Sequence, residues 1–202
     1  MKKERQPNFL TTNERTNSVD YLLRSYEFIV QTKTNVHAWK WAIIALHGAL
    51  YGFAICACRG SNNEFVAPAR RTKEGKDLKN PRLIGIDDAL EACQNPTKMG
   101  MFDRSNHLQL SDQQKNSIRR LISAFRNNFE HYIPRTWLID LAGMANIFVD
   151  VLDVIYFLAL KTNNFRLTST QKRKVRSAIF QSKKLLKQSK YFIENASIKR
   201  LN

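Results

Sequence analysis

Three polar side chains suited to phosphate chemistry lie close together beyond the middle of the chain. Asn127 directly follows Arg126, and His131 comes five residues after the arginine. A guanidinium can bind a phosphate through two N–H donors, and an imidazole titrates near neutral pH. The residue types therefore suit a site that binds a phosphodiester and moves a proton on it.

The sequence predicts one helix that carries these residues. Ser111 and Gln114 have capping-box spacing, so the helix is expected to begin at Asp112. Apolar residues then recur at helical spacing: Ile118, Leu121, Ile122, Phe125 and Phe129. Pro134 disfavours helical geometry at the preceding residue, so the helix is expected to end soon after His131.

The geometry of a straight helix limits how these side chains can act together. At 100° per residue, Arg126 and His131 point about 140° apart, whereas Asn127 and His131 differ by about 40°. Either the helix deforms near Pro134 or a second copy of the chain supplies part of the site. A purely structural interpretation also stands, with Arg126 and Glu130 as an i, i+4 ion pair and His131 capping the helix.

Composition indicates one basic domain that binds polyanions. The chain has 202 residues, a net charge of +16 and a pI near 10.0. From Arg166 onward, eleven lysines and arginines face only one glutamate, and many of them lie on one side of the last predicted helix. This side could be solvated or face a membrane, and it is about as well suited to follow the phosphate backbone of a nucleic acid such as RNA. The residues expected to bind RNA are Lys172, Arg173, Lys174, Arg176, Lys183, Lys184 and Lys187.

Cysteine and histidine usage argues against a metal site or any other cofactor. Cys56, Cys58 and Cys93 form no paired C-x-x-C motif, and the four histidines are scattered. The cysteines are expected to be reduced thiols in a cytoplasmic protein. The basic N-terminus has no apolar run directly behind it, so it does not resemble a secretory signal.

One stretch could be mistaken for a membrane span. Residues 41–58 contain no charged side chain and include Gly48 and Gly52 at G-x-x-x-G spacing. The run is at the lower limit of length for a span and contains His47. We therefore expect a helix buried inside a bundle.

The apolar pattern predicts an all-α bundle of about five helices and contains no strand signal. Residues 1–17 are expected to form a flexible arm and 197–202 a tail, with a single domain over 18–196. Residues 59–110 are rich in glycine and proline and read as a long connection, with a short helix over 86–93 and a charged segment over 70–79. The five helices are expected over 18–33, 35–58, 112–131, 136–161 and 169–193. Thr168 and Gln171 have capping-box spacing at the start of the last one. The two most apolar, 39–58 and 137–160, are expected to form the centre, and the bundle is expected to dimerise.

The predicted helix over 136–161 carries a narrow polar stripe. Asn146, Asp150 and Asp153 fall within about 60° of one another on a helical wheel. The stripe could be an exposed edge, or Asp150 or Asp153 could face the Arg126 region and orient its side chains.

In this chain an arginine is followed by a polar residue and, five residues after the arginine, by a histidine, near a helix end in a predicted small all-α bundle. With this arrangement the chain resembles members of the HEPN superfamily. Its signature is R-x(4-6)-H, often with Asn, Asp or His after the arginine, and Arg126, Asn127 and His131 match those positions. The wider run from Phe125 to Trp137 is similar to small stand-alone bacterial HEPN proteins. The resemblance covers roughly residues 18–196, with 59–110 as a variable insertion.

The resemblance implies metal-independent RNA cleavage at a cleft where two protomers each bring the motif, commonly in toxin–antitoxin or anti-phage defence. His131 would act as general acid or base and Arg126 would bind the scissile phosphate. Asn127 would either position the phosphate or fix the tautomer of the histidine. HEPN toxins silenced by a nucleotidyltransferase usually have tyrosine two residues after the histidine, where this chain has Ile133. Tyr132 is adjacent to His131 and is expected to support the site residues. The antitoxin or other regulatory partner stays unidentified.

Two other functions fit the same residues. A HEPN-like module could bind nucleic acid or a nucleotide without cutting it. A membrane-associated protein could use residues 41–58 as a span and the basic last helix on anionic lipid.

Overall fold

The computed structural model describes residues 9–59, 63, 65–68, 82–101, 106–130, 136–164 and 166–193. This part of the chain forms seven packed helices and contains no strand, which confirms the all-α bundle. The fifth helix, α5, runs without a break through three segments, Asp112–Arg119, Arg120–Arg126 and Asn127–Glu130. The other six are α1 (Glu14–Gln31), α2 (Ala38–Cys58), α3 (Ile86–Gln94), α4 (Pro96–Gly100), α6 (Met144–Leu160) and α7 (Ser169–Lys187).

Helix α2 lies at the centre of the bundle. It packs against α1 on one side and against α6, α3 and α5 on others, while α7 packs on α1 and α6. Its Phe53 and the Phe148 of α6 are completely buried. The prediction that the two most apolar helices form the centre is therefore confirmed.

Helix α2 is also long and apolar enough to cross a membrane, the only helix of the described part that is. Most of its apolar surface is nevertheless buried within the bundle: 72% of its most hydrophobic 18-residue window is covered by the rest of the fold. Such a helix is equally typical of a soluble core. The three cysteines are free and buried, two of them on α2.

Local hydrogen bonds explain where three of the long helices begin. The Ser111–Gln114 and Thr168–Gln171 capping boxes are both formed, as predicted for α5 and α7. A third box, between Asn13 and Thr16, starts α1 at Glu14 rather than at Ser18. The predicted arm over 1–17 is therefore helical from Glu14 onward.

Two further predicted helix boundaries are wrong by several residues. The helix expected from residue 136 begins at Met144, because Gly143 adopts a positive φ of 72° that interrupts any helical path before it. The last helix ends at Lys187 rather than near Ile193. Asn146 of α6 exchanges two hydrogen bonds with the backbone of Ile193, at 2.8 and 2.9 Å, and so fastens the residues after α7 in a non-helical turn.

The predicted connection over 59–110 contains the two short helices. Helix α3 confirms the one expected over 86–93, whereas α4 was not predicted. Asn95 accepts a hydrogen bond from the Lys98 N–H and Pro96 occupies the first turn, which are both common at helix starts. The charged segment over 70–79 and the tail over 197–202 lie outside the described residues.

Candidate active site

Arg126 and Asn127 lie together on α5, half-buried at the side that meets the bundle. The Arg126 Nη1 donates a hydrogen bond to the Asn127 Oδ1 at 3.0 Å. Two of the three motif residues are therefore in contact, and Asn127 orients the guanidinium. His131 and Tyr132 lie outside the described residues, so the prediction that His131 acts together with Arg126 in one site stays a prediction.

The helix that carries the motif changes its winding just before it. From Arg120 to Arg126 the backbone is π-helical, and the Asn127 N–H bonds to the carbonyl of Ile122 five residues back. Ser123 and Asn128 each donate from the side chain to a carbonyl four residues earlier, at 2.9 and 2.8 Å. Such side-chain bonds often bend helices. Single π turns within α-helices occur frequently at functional sites, and this one ends at the motif arginine.

A buried histidine of α2 lies beside the motif. The π segment of α5 packs against α2, and His47 is 9% exposed there. Burial, and then the nearby positive charge of Arg126, lower the pKa of His47 to about 4, so its imidazole is neutral at pH 7. Among the described residues the ring has no hydrogen-bond partner, and it lies 6.4 Å from the ring of Tyr51.

Tyr51 continues this row along α2. Its hydroxyl donates to the carbonyl of Ile84, just before α3, at 2.5 Å. The tyrosine therefore fixes the backbone that leads into α3 against the helix that bears His47. Tyr51 thus links α3 to α2, and His47 lies one turn earlier on α2, which packs against α5.

Sequence reasoning missed both the π segment and the burial of His47 beside the motif. No glycine or proline occurs between Arg120 and Arg126, so nothing in the local sequence indicated a change of winding. A signal for His47 was present, because it is a single titratable group in an uncharged run. That signal was used only as an argument against a membrane span.

The two carboxylates of the polar stripe do not contact Arg126. Asp150 accepts hydrogen bonds from Gln113 at 3.0 and 3.1 Å and from the Ser117 hydroxyl at 2.6 Å. Asp153 pairs with Lys183 of α7 at 2.5 Å. The prediction that one of them orients the motif is therefore not supported by their contacts, which instead fasten α6 to α5 and α7.

The predicted RNA-binding residues all lie on α7, and all but one are exposed. Lys183 is the exception, because it is half-buried and held by Asp153. The exposed members are Lys172, Arg173, Lys174, Arg176, Lys184 and Lys187. Helix α7 packs on α1 and α6 rather than on α5, so this basic side does not line the motif directly.

One cavity among the described residues lies near the motif but does not include it. A cleft of about 370 Å³ between α3 and α5 is lined by Asp87, Glu91, Lys115 and Arg119 and reaches Ile122 and Ser123 of the π segment. Arg126, Asn127 and His47 are absent from its lining. Within the described ranges, no group of three or more His, Cys, Asp or Glu side chains is placed to hold a metal ion.

Comparisons with models of known families, with curated proteins and with solved structures give no match to this chain. The fold and the contacts described above therefore stand on the molecule alone.

Proposed function

We propose that this protein is a metal-independent endoribonuclease of the HEPN type, with Arg126, Asn127 and His131 as its catalytic residues. The observation that carries the proposal is the distortion of α5 at the motif. A π segment ends at Arg126, and its guanidinium is bonded to Asn127 and lies close enough to His47 to lower that pKa. Such winding costs regular hydrogen bonding, which favours a functional reason for it.

The chemistry requires a base, an acid and a phosphate-binding cation. The ribose 2′-oxygen loses its proton and attacks the neighbouring phosphorus, so a P–O2′ bond forms and the P–O5′ bond breaks. The products are a 2′,3′-cyclic phosphate and a 5′-hydroxyl. His131 is suited to moving the proton, and Arg126 to stabilising the charge on the phosphate oxygens. His47 is less suited to the proton transfer, because its pKa of about 4 makes it a weak base.

A dimer would complete this site. On a regular helical path Arg126 and His131 diverge by about 140°, so a second copy of the motif could provide the missing group. Leu138, in the segment that follows the motif, is 91% exposed. An apolar side chain so placed supports a contact with a second copy near the site.

The cellular setting follows from the resemblance and the charge. We propose a cytoplasmic effector of a toxin–antitoxin or anti-phage system, with RNA as its target and an antitoxin or other regulatory partner that restrains it. The net charge of +16 supports a polyanionic target.

A catalytically silent module that binds nucleic acid or a nucleotide is the second candidate. The observation that favours it is the contact between Arg126 and Asn127 in a half-buried position. A guanidinium that is already hydrogen-bonded and partly covered has fewer donors to offer a scissile phosphate. Such a site can bind an anion without accelerating its cleavage.

Cleavage of a mixed RNA pool in EDTA, by wild-type protein and His131→Ala, tests the two candidates. The expected result is cleavage by the wild type alone, with 2′,3′-cyclic phosphate or 3′-phosphate ends. His37→Ala is the matched control, since His37 is exposed at the start of α2 and should leave cleavage unchanged.

The melting temperature of His131→Ala completes the experiment. We expect it to stay within a few degrees of the wild-type value, because a polar cleft residue contributes little to packing. A large decrease would instead indicate a structural histidine. RNA binding without cleavage by the wild type would favour the silent module.

A further inference from the structure

The outer face of α7 carries one aromatic ring in the middle of a row of cations. Phe180 is 66% exposed, on a helix whose other large apolar side chains turn inward. Arg173, Arg176, Lys184 and Lys187 all lie within about 40° of Phe180 on a helical wheel. They extend over about 21 Å of the helix axis, with Phe180 at the midpoint.

This row is rich in uncompensated positive charge. Helix α7 contains no aspartate or glutamate between Ser169 and Lys187. Asp153 of α6 reaches only Lys183, which lies at the flank of the row, about 60° from Phe180. In the structure the four cations beside Phe180 are exposed and take part in no ion pair with the described residues.

The opposite face of α7 explains why Phe180 is not simply a misplaced core residue. Val175, Ala178, Ile179 and Leu186 are buried and lie on the far side of the wheel. They already fill the contact with α1 and α6. Phe180 therefore adds nothing to the core, and its ring is open to a ligand that binds the outer face of α7.

A flat apolar ring between phosphate-binding cations matches one kind of ligand well. In unpaired RNA, the bases can stack on aromatic side chains while the backbone follows Lys and Arg. In a duplex the base faces are stacked on one another and cannot reach a protein ring. An interfacial membrane helix would need a wide apolar face, but the apolar face of α7 is buried in the bundle.

We propose that α7 is a binding track for single-stranded RNA, on which Phe180 stacks a base while Arg173, Arg176, Lys184 and Lys187 hold the flanking phosphates. This inference rests on the proposed ribonuclease function, for which it names unpaired RNA as the substrate class. Helix α6 lies between α7 and α5, so the track binds RNA away from the scissile phosphate. It selects and holds the strand, and the motif cuts it.

The test measures binding without cleavage. Fluorescence anisotropy is recorded with a 2′-O-methyl oligonucleotide, which lacks the nucleophilic hydroxyl, both single-stranded and annealed to its complement. The proteins are the wild type and the variants Phe180→Ala, Phe180→Leu and Phe180→Trp. Trp41→Leu is the matched control, because Trp41 is a 50% exposed ring on α2, whose only cation is Lys40.

The expected result is a loss of single-strand affinity of about tenfold for Phe180→Ala and Phe180→Leu, with wild-type affinity for Phe180→Trp and Trp41→Leu. Duplex affinity should change less than about twofold, since it depends on the cations alone. An equal loss for both forms of RNA, or no loss for either, would overturn the proposal.

Two further measurements exclude other ligands of the ring. If Phe180→Ala weakened binding to phosphatidylserine vesicles and left RNA affinity unchanged, the face would be a lipid-binding one and the proposal would be wrong. If it changed the sedimentation coefficient and left RNA affinity unchanged, the face would be a contact between copies. Because cleavage is not measured, a failure of the ribonuclease proposal would appear separately, as intact natural RNA in the EDTA experiment.

Discussion

His47 should make the protein unstable in mild acid, and the size of the effect follows from its surroundings. Burial and the charge of Arg126 lower the pKa of His47 from about 6.5 to about 4 in the folded state. An unfolded chain exposes the ring and restores the usual value. Protons therefore bind the unfolded state more tightly than the folded state. The unfolding free energy has its full value above pH 6.5, where the ring is neutral in both states, and decreases as the pH falls towards 4.

The magnitude can be worked out from those two pKa values. At pH 5 the unfolded histidine is almost fully protonated and the folded one is mostly neutral, which costs about 2 kcal/mol of unfolding free energy. At pH 4 the cost reaches about 3 kcal/mol. Because His47 is 9% exposed, solvent screening removes little of this effect.

Urea denaturation at pH 7.5 and pH 5.0 measures it. Carboxylates also titrate in acid, so the informative quantity is the difference between the wild type and His47→Gln, which has the same carboxylates. The wild type should lose about 2 kcal/mol more than the variant between the two pH values. His37→Gln, at an exposed position, should behave like the wild type.

The effect of the Arg126 charge on His47 can be tested in the same way. Arg126→Gln removes the second cause of the lowered pKa but leaves burial in place, so the acid loss should become smaller without disappearing. If His47→Gln and the wild type lost the same free energy between pH 7.5 and 5.0, the reasoning would be refuted. If Arg126→Gln left the wild-type loss unchanged, Arg126 would not be near enough to act on His47.

Three further predictions concern packing and binding. Gly52→Ala should reduce the unfolding free energy by about 1–3 kcal/mol, because the new Cβ would overlap the Ser18 hydroxyl and lie 3.4 Å from the Ser18 Cα. Chemical denaturation measures this loss, and the double variant with Ser18→Ala should recover part of it. Asp150→Ala should cost about 1–3 kcal/mol in the same assay, because it leaves the Ser117 hydroxyl without its acceptor; an unchanged midpoint would contradict a fastening role for Asp150. Lys187→Gln should reduce the slope of log affinity against log salt for single-stranded RNA by about 0.7, as expected when one phosphate contact is lost, and an unchanged slope would remove Lys187 from the track.

Features that depend on neighbouring residues were predicted well. The capping boxes at Ser111 and Thr168 need only residues three positions apart, and both form as expected. The box at Asn13 obeys the same rule with a threonine in place of glutamine, and a broader pattern would have found it. The beginning of α6 was missed because the apolar residues before Met144 continue the helical pattern, while the positive φ of Gly143 decides against it.

The sequence by itself determined the helical class, the two apolar helices at the centre and the basic last helix. These depend on periodicity, composition and spacing, which a chain carries without being folded. Only the tertiary structure decided that Asp150 and Asp153 fasten helices, that α5 winds as a π-helix before the motif, and that His47 lies beside Arg126. The physical reason is that His47 and Arg126 are 79 residues apart in the chain. The burial of His47 and the nearness of the Arg126 charge, which together lower the pKa of the imidazole, exist only once α5 packs against α2.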